Sequence, residues 1–174
     1  VHFQGKLYRA LNPIYAREPL SGRGAQLYGG RFNPKGVPAL YTALSIVTAI
    51  KEANQAGSLQ PTTLVSYEAD IRNVFDTRDV GALARFEMNS EALADDGWRD
   101  RMIAEGRAPT QKLAEALISE GFQGLLVRSF AKGATADDLN LVLWRWGSTG
   151  SAKLTLIDEE GRLAPSAPGT PDRL

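Results

Sequence analysis

The chain has 174 residues, 43% of them hydrophobic, which is enough for one full core and cramped for two. Its 20 basic and 20 acidic residues cancel without long runs of either sign, which argues against a phosphate-backbone footprint and therefore against direct nucleic-acid binding. Cysteine is absent and the single histidine, His2, stands at the start of the chain, so disulfides, thiolate catalysis, a Ser-His-Asp triad and a Cys- or His-ligated metal are all excluded or hard to build. No stretch reaches transmembrane length and no signal-peptide pattern opens the chain, so the expected protein is soluble, compatible with a cytoplasmic location, and has no membrane partner.

Residues 1–5 read as an N-terminal extension, because Phe3-Gln4-Gly5 has the form of a protease-tag remnant, and they receive no functional weight. Lys6 to Ala10 alternates like a first strand, ended by Asn12-Pro13, with Arg9 and Tyr8 on opposite faces. Arg17 to Gly36 is dense in Gly, Pro and Ser and reads as a long ordered loop, a kind of segment that often carries function. Within it, Gly29-Gly30-Arg31-Phe32-Asn33-Pro34-Lys35-Gly36 combines turn formers that let a backbone approach a ligand with two positive charges. It has neither the Walker A nor the Rossmann glycine spacing.

Ala39 to Ala43 is a short strand carrying Tyr41, and Ser45 is the expected N-cap of a helix running to Ala56 and stopped by Gly57. A helical wheel puts Ile46, Ala49, Ile50, Ala53 and Ala56 on the buried stripe and Glu52 at its shoulder, without a Lys or Arg at i±3 or i±4. Thr62 to Ile71 is a strand with Val65, Tyr67 and Ala69 on one face, and Val74 to Asp76 continues the sheet after a bend. Glu87 to Arg107 suggests one short helix, and Thr110 to Glu120 a better one, with Leu113, Ala114 and Leu117 inward and Gly121 as its stop. Gly124 to Phe130 and Leu139 to Trp146 are apolar central strands, the Trp144 and Trp146 pair being assigned to packing. Lys153 to Ile157, with a turn at Glu159-Glu160-Gly161, reads as the start of a hairpin, and the tail 164–174 as a loose polar arm. About six strands with two to four helices, out of strict βαβ alternation, define an α+β fold in one domain over 6–163.

Tyr8-Arg9-Ala10, Gly29-Gly30-Arg31-Phe32-Asn33, Leu40-Tyr41-Thr42-Ala43, Glu52 and Val127-Arg128-Ser129 together resemble the RES domain, named for its arginine, glutamate and serine. The order and spacing hold from about Tyr8 to Trp146. The resemblance implies a single domain with a mixed, ADP-ribosyltransferase-like β core and flanking helices. It implies a toxin of a bacterial type II toxin-antitoxin module, partnered by an Xre-type helix-turn-helix antitoxin and consuming NAD+ as co-substrate, without a metal. The family's arginine falls on Arg31, its tyrosine on Tyr41, its glutamate on Glu52 and its serine on Ser129, while Arg9 and Asn140 match further positions suited to binding the dinucleotide. Each of these residues taken alone has a commoner structural use; the joint pattern points to a site.

Breaking the nicotinamide–ribose bond expels a neutral group and leaves an oxocarbenium-like sugar, so the chemistry needs a nearby carboxylate more than a general acid. Glu52 is the candidate. A guanidinium suits the pyrophosphate, which makes Arg31 and Arg9 positioning residues; Tyr41 offers a flat face and a hydroxyl; Ser129 either meets the ribose or orients Glu52. ADP-ribose would pass to a protein acceptor, or to water or phosphate. Two other classes remain open at this level: a non-catalytic module whose loop holds a partner or an anionic metabolite, and a glycosidase pairing Glu52 with Glu68 or Asp70. A toxin would have its cleft filled or blocked by an antitoxin segment.

Overall fold

The computed structural model describes residues 1–54 and 58–163. Strand β1 (Phe3–Leu11) lies inside a sheet of seven strands, between β2 (Leu40–Ala43) and β3 (Thr63–Ile71). The others are β4 (Val74–Asp76), β5 (Gly124–Arg128), β6 (Leu139–Leu143) and β7 (Ala152–Leu156). They align in the order β4-β5-β6-β2-β1-β3-β7, with β4 and β5 parallel and every other pair antiparallel. The fold is a mixed sheet with helices packed on it, of the α+β kind expected.

Side-chain alternation divides the interior in two. Leu7, Val65, Tyr67, Ala69 and Ile71 join Leu126, Leu141 and Leu143 in one apolar cluster. Their sequence neighbours Leu125, Val127 and Val142 point into a second cluster, built with Phe75, Leu83, Leu93, Leu113 and Leu117. Strands β5 and β6 are thus buried on both faces, which is why they read as continuous apolar runs rather than as alternating ones. The helices supplying the second cluster are α3 (Val80–Ala84), α4 (Ser90–Ala94) and α6 (Pro109–Ser119). Asp79 and Asn89 cap α3 and α4 by accepting from the backbone N–H groups of Ala82 and Ala92. Gly121, at φ 88°, ends the α6 segment as the sequence suggests.

Several expectations are corrected. Of residues 1–5, read as an N-terminal extension without functional weight, Phe3, Gln4 and Gly5 begin β1, ahead of Lys6 where alternation places the first strand, and pair with Ile71, Asp70 and Ala69. The segment from Arg17 to Gly36 contains a helix, α1 (Arg23–Tyr28), and is braced at its start by Trp146, whose Nε1 donates to the Leu20 carbonyl. Helix α2 (Ile46–Ala53) starts at the Ser45 cap as read, but Asn54 is its C-cap, while Ala56 and Gly57 lie outside the described residues. Its buried residues are Thr48 and Ala49, whereas Ile46 and Ile50 are 48% and 37% exposed and Ala53 is also exposed. The helix is turned to bring its polar edge, with Glu52, toward the sheet. The segment from Glu87 to Arg107 holds two helices, α4 and α5 (Trp98–Glu105). β7 pairs with β3, and no return strand follows it among the described residues; the tail 164–174 is not among them. None of the described helices is long and apolar enough to cross a membrane.

Candidate active site

Glu52 sits in the last turn of α2, and its position is fixed by a neighbour that the sequence reading passed over. Asp138, just before β6, accepts from the Thr48 hydroxyl at 2.6 Å and the Lys51 ammonium at 2.9 Å, both on α2. The Thr135 backbone N–H donates to it at 2.8 Å. This backbone bond, followed by those from Thr48 and Lys51, holds the Asp138 carboxyl well below the usual aspartate range. Its carbonyl accepts from the Ser129 N–H at 2.7 Å. One aspartate therefore ties α2 to the end of β5, where Ser129 sits.

The Ser129 hydroxyl, which accepts from the Ala131 N–H at 3.2 Å, donates to Oε1 of Glu52. Asn140 on β6 donates to the same oxygen from Nδ2 at 2.5 Å, and its Oδ1 is a buried acceptor without a hydrogen-bond partner among the described residues. Of the two roles considered for Ser129, its geometry is that of a residue orienting Glu52.

Tyr41 lies on β2, opposite Val142 of β6. Its hydroxyl donates to Asn33 Oδ1 at 2.7 Å and accepts from the Phe32 N–H at 3.0 Å. Burial pushes the phenol far up, so it stays protonated at any working pH and serves as a hydrogen-bonding post rather than a proton carrier. Asn33 is itself fully buried and donates to the carbonyls of Ala25 and Val37, both at 2.9 Å. The Gly29–Gly36 loop is closed from outside as well: Trp144 Nε1 donates to the Phe32 carbonyl at 2.8 Å, and Gln111 Nε2 to the Gly30 carbonyl at 2.9 Å. Trp144, read from sequence as packing alone, is part of this brace.

Arg31 leaves the loop toward α4, where Nη1 donates to the carbonyls of Leu93 and Asp95 at 3.1 and 2.9 Å. Nη2 meets Asp96 at 3.2 Å. Half of the paired hydrogen-bonding expected for a pyrophosphate is therefore already committed to backbone. Arg9 is similarly held, Nη1 donating to the carbonyls of Pro19 and Ser21 at 3.2 and 3.3 Å, and burial lowers its pKa.

Two clefts meet along this constellation. One, of about 320 Å3, is lined by Tyr8, Arg9 and Ala49; the other, of about 250 Å3, by Arg31, Trp98 and Phe130; Tyr41, Glu52 and Asn140 belong to both. Five of the six residues singled out from sequence thus line the clefts, and Ser129 stands behind Glu52. The Glu52 pairing with Glu68 or Asp70 is not realised. Glu68 is exposed on β3, Asp70 is bound to His2 at 2.6 Å and to Gln4 at 3.3 Å, and neither lines these clefts.

The family model of the RES domain matches residues 6–164 of the chain. Toxin Res of Photorhabdus laumondii subsp. laumondii is 46% identical over 46 residues, a match that covers 26% of this chain and 30% of that protein's length. A chain from the crystal structure of the M. tuberculosis MbcT-MbcA toxin-antitoxin complex superposes with a TM-score of 0.64 over 91% of this chain and 84% of that one, at 24% identity. At that identity the likeness is one of fold.

Proposed function

The chain belongs to the RES-domain family, and on that premise we propose that it is the toxin of a toxin-antitoxin module and acts by consuming NAD+, breaking the nicotinamide–ribose bond and passing ADP-ribose to a protein acceptor. The observation that carries this reading is a single carboxylate, Glu52, held at Oε1 by Ser129 and Asn140 where two clefts meet. As the C–N bond opens, its electron pair leaves with nicotinamide and the ribose becomes cationic; Glu52 lowers the energy of that cation through space. The acceptor then adds to the same carbon and gives up its proton.

A neutral leaving group needs no acid, which agrees with a Tyr41 phenol that burial keeps protonated. Tyr41 and Asn140, reaching both clefts, align the dinucleotide across the carboxylate, and Arg31 and Arg9 contribute positive charge on either side. The module's antitoxin, of Xre helix-turn-helix type, would silence the protein in the cytoplasm by laying a segment into the clefts.

Incubation of the antitoxin-free protein with NAD+ labelled in its adenosine, in cell lysate, tests the reading. Nicotinamide release together with a labelled protein band is expected, and both should disappear in Glu52→Gln. Release without any band would move the acceptor to water or phosphate. NAD+ left intact would overturn the enzymatic reading in favour of a binding module.

A further inference from the structure

The two clefts meeting at Glu52 differ in charge and in lining. The cleft that holds Arg31 is also lined by Arg99 and Arg128. The guanidinium carbons of Arg31 and Arg128 lie 4.7 and 5.5 Å from the centre of the Phe130 ring, and that of Arg99 lies 5.0 Å from Trp98. Arg99 and Arg128 make no ion pair among the described residues, and Arg31 has only Asp96, whose side chain is 94% exposed. Three guanidinium groups around one small cleft repel one another, and a multivalent anion relieves that repulsion. The cleft beyond Glu52 has a single guanidinium, Arg9, engaged by two backbone carbonyls, and its lining includes the small side chains of Ala10, Ala43, Ala49 and Ala53.

A nicotinamide dinucleotide is divided in the same way. One half carries two phosphates and a purine, the other a flat cationic ring with one amide. Resting on the NAD+ reading above, we infer that the ADP half lies in the arginine cleft, its phosphates read by Arg99 and Arg128 beside Arg31, and the nicotinamide ring in the alanine-lined cleft beside Tyr8. Trp98 and Phe130, on which the three guanidinium groups rest, complete the wall against which the purine lies. Tyr8 offers its ring to the cationic nicotinamide. The bond to be broken then falls at the wall common to both spaces, where Glu52 stands. Sequence alone assigns neither Arg99 nor Arg128 a role, although Arg128 lies within the Val127-Arg128-Ser129 motif. Arg99 opens a polar helix, and Arg128 is the residue before the family serine.

Calorimetric titration of the Glu52→Gln protein, in which no turnover erodes the ligand, tests the assignment with ADP-ribose and nicotinamide as separate probes. In that background the exposed pair Arg99→Gln with Arg128→Gln should weaken ADP-ribose binding about 10-fold or more. It should also flatten the dependence of affinity on salt and leave nicotinamide binding unchanged. Ala53→Leu, at the exposed end of α2, should do the reverse, lowering affinity for nicotinamide and sparing ADP-ribose. ADP-ribose affinity that ignores the double arginine change, or that falls with Ala53→Leu instead, overturns the orientation while leaving NAD+ consumption intact. Failure of the parent protein to bind ADP-ribose at all overturns both.

Discussion

Asn140 on β6 reaches Oε1 of Glu52 on α2 at 2.5 Å across 88 positions of sequence, and the Ser129 hydroxyl meets the same oxygen. Two donors on one carboxylate oxygen hold both its charge and its direction. Glu52→Gln keeps the shape and an acceptor for both bonds while removing the charge. Nicotinamide release should fall on the order of 10²-fold or more, and a melting curve close to that of the parent would show that the loss is chemical.

On the proposed mechanism Ser129 acts through Glu52, to which its hydroxyl donates, so its effect should vanish when Glu52 has lost its charge. Ser129→Ala is expected to reduce kcat by about 10-fold with a smaller change in KM, the pattern of a positioning loss. In the Glu52→Gln background the same change should cost almost nothing further. Steady-state rates for the four proteins give the coupling directly, and simple additivity would show that Ser129 works independently of the carboxylate.

The loop that carries Arg31 leaves no room at Gly30. A Cβ there would stand 2.6 Å from Asn33 Oδ1 and still closer to the Tyr41 hydroxyl. Gly30→Ala must therefore push Tyr41 off its post, with an expected loss of about 2 kcal/mol or more in unfolding free energy. Adding Tyr41→Phe removes the colliding oxygen and should restore part of that stability, although not activity. Chemical denaturation of the single and double variants checks this; a double variant less stable than Gly30→Ala would contradict the packing.

Asp138 gives the protein an acid dependence of known sign. Its carboxyl titrates lower in the folded chain than in the unfolded one, because the Thr135 N–H, Thr48 and Lys51 all donate to it. Its stabilising contribution is then complete above the ordinary aspartate value of about 4 and is lost as pH falls from there through the folded value. Asp138→Asn should melt at lower temperature than the parent at pH 7, with the gap closing as pH falls below about 4. Since Asp138 anchors the helix bearing Glu52, activity should drop about 10-fold as well. A gap that stays constant from pH 7 to 3 would assign the effect to shape rather than charge.

What the sequence reveals of this site is its touching residues, and what it hides is their supports. Arg31, Tyr41 and Glu52 belong to short motifs whose residue types suit a dinucleotide, and the strands that carry Tyr41 and Asn140 follow from their apolar runs. Asp138 has no local mark: it is one acidic residue among several, and its value comes from Lys51 and Thr48, 87 and 90 positions earlier. Asn33 is legible as a turn former, yet its four side-chain bonds depend on a burial that turn chemistry does not announce. The buried face of α2 departs from its helical wheel for a related reason. A wheel turns Ile46 and Ile50 inward, but the pull of Asp138 on Thr48 and Lys51 and of Asn140 and Ser129 on Glu52 decides which side meets the sheet.

The Gly29–Gly36 loop is latched by residues made long after it. Gln111 seals the Asn33 carbonyl from 78 positions downstream and Trp144 the Phe32 carbonyl from 112. A nascent chain that has emerged only as far as α6 therefore owns every loop residue and the Gln111 half of the latch, but still lacks Trp144 and Asn140. On the proposed function, a fragment ending before β6 lacks Asn140 and Trp144 and should release no nicotinamide, so competence would come with the last third of this chain rather than grow with its length. On the toxin reading proposed above, a cell would meet the active protein only once β6 is in place, and the time taken to make the preceding elements would be available for a neutralising partner to be made.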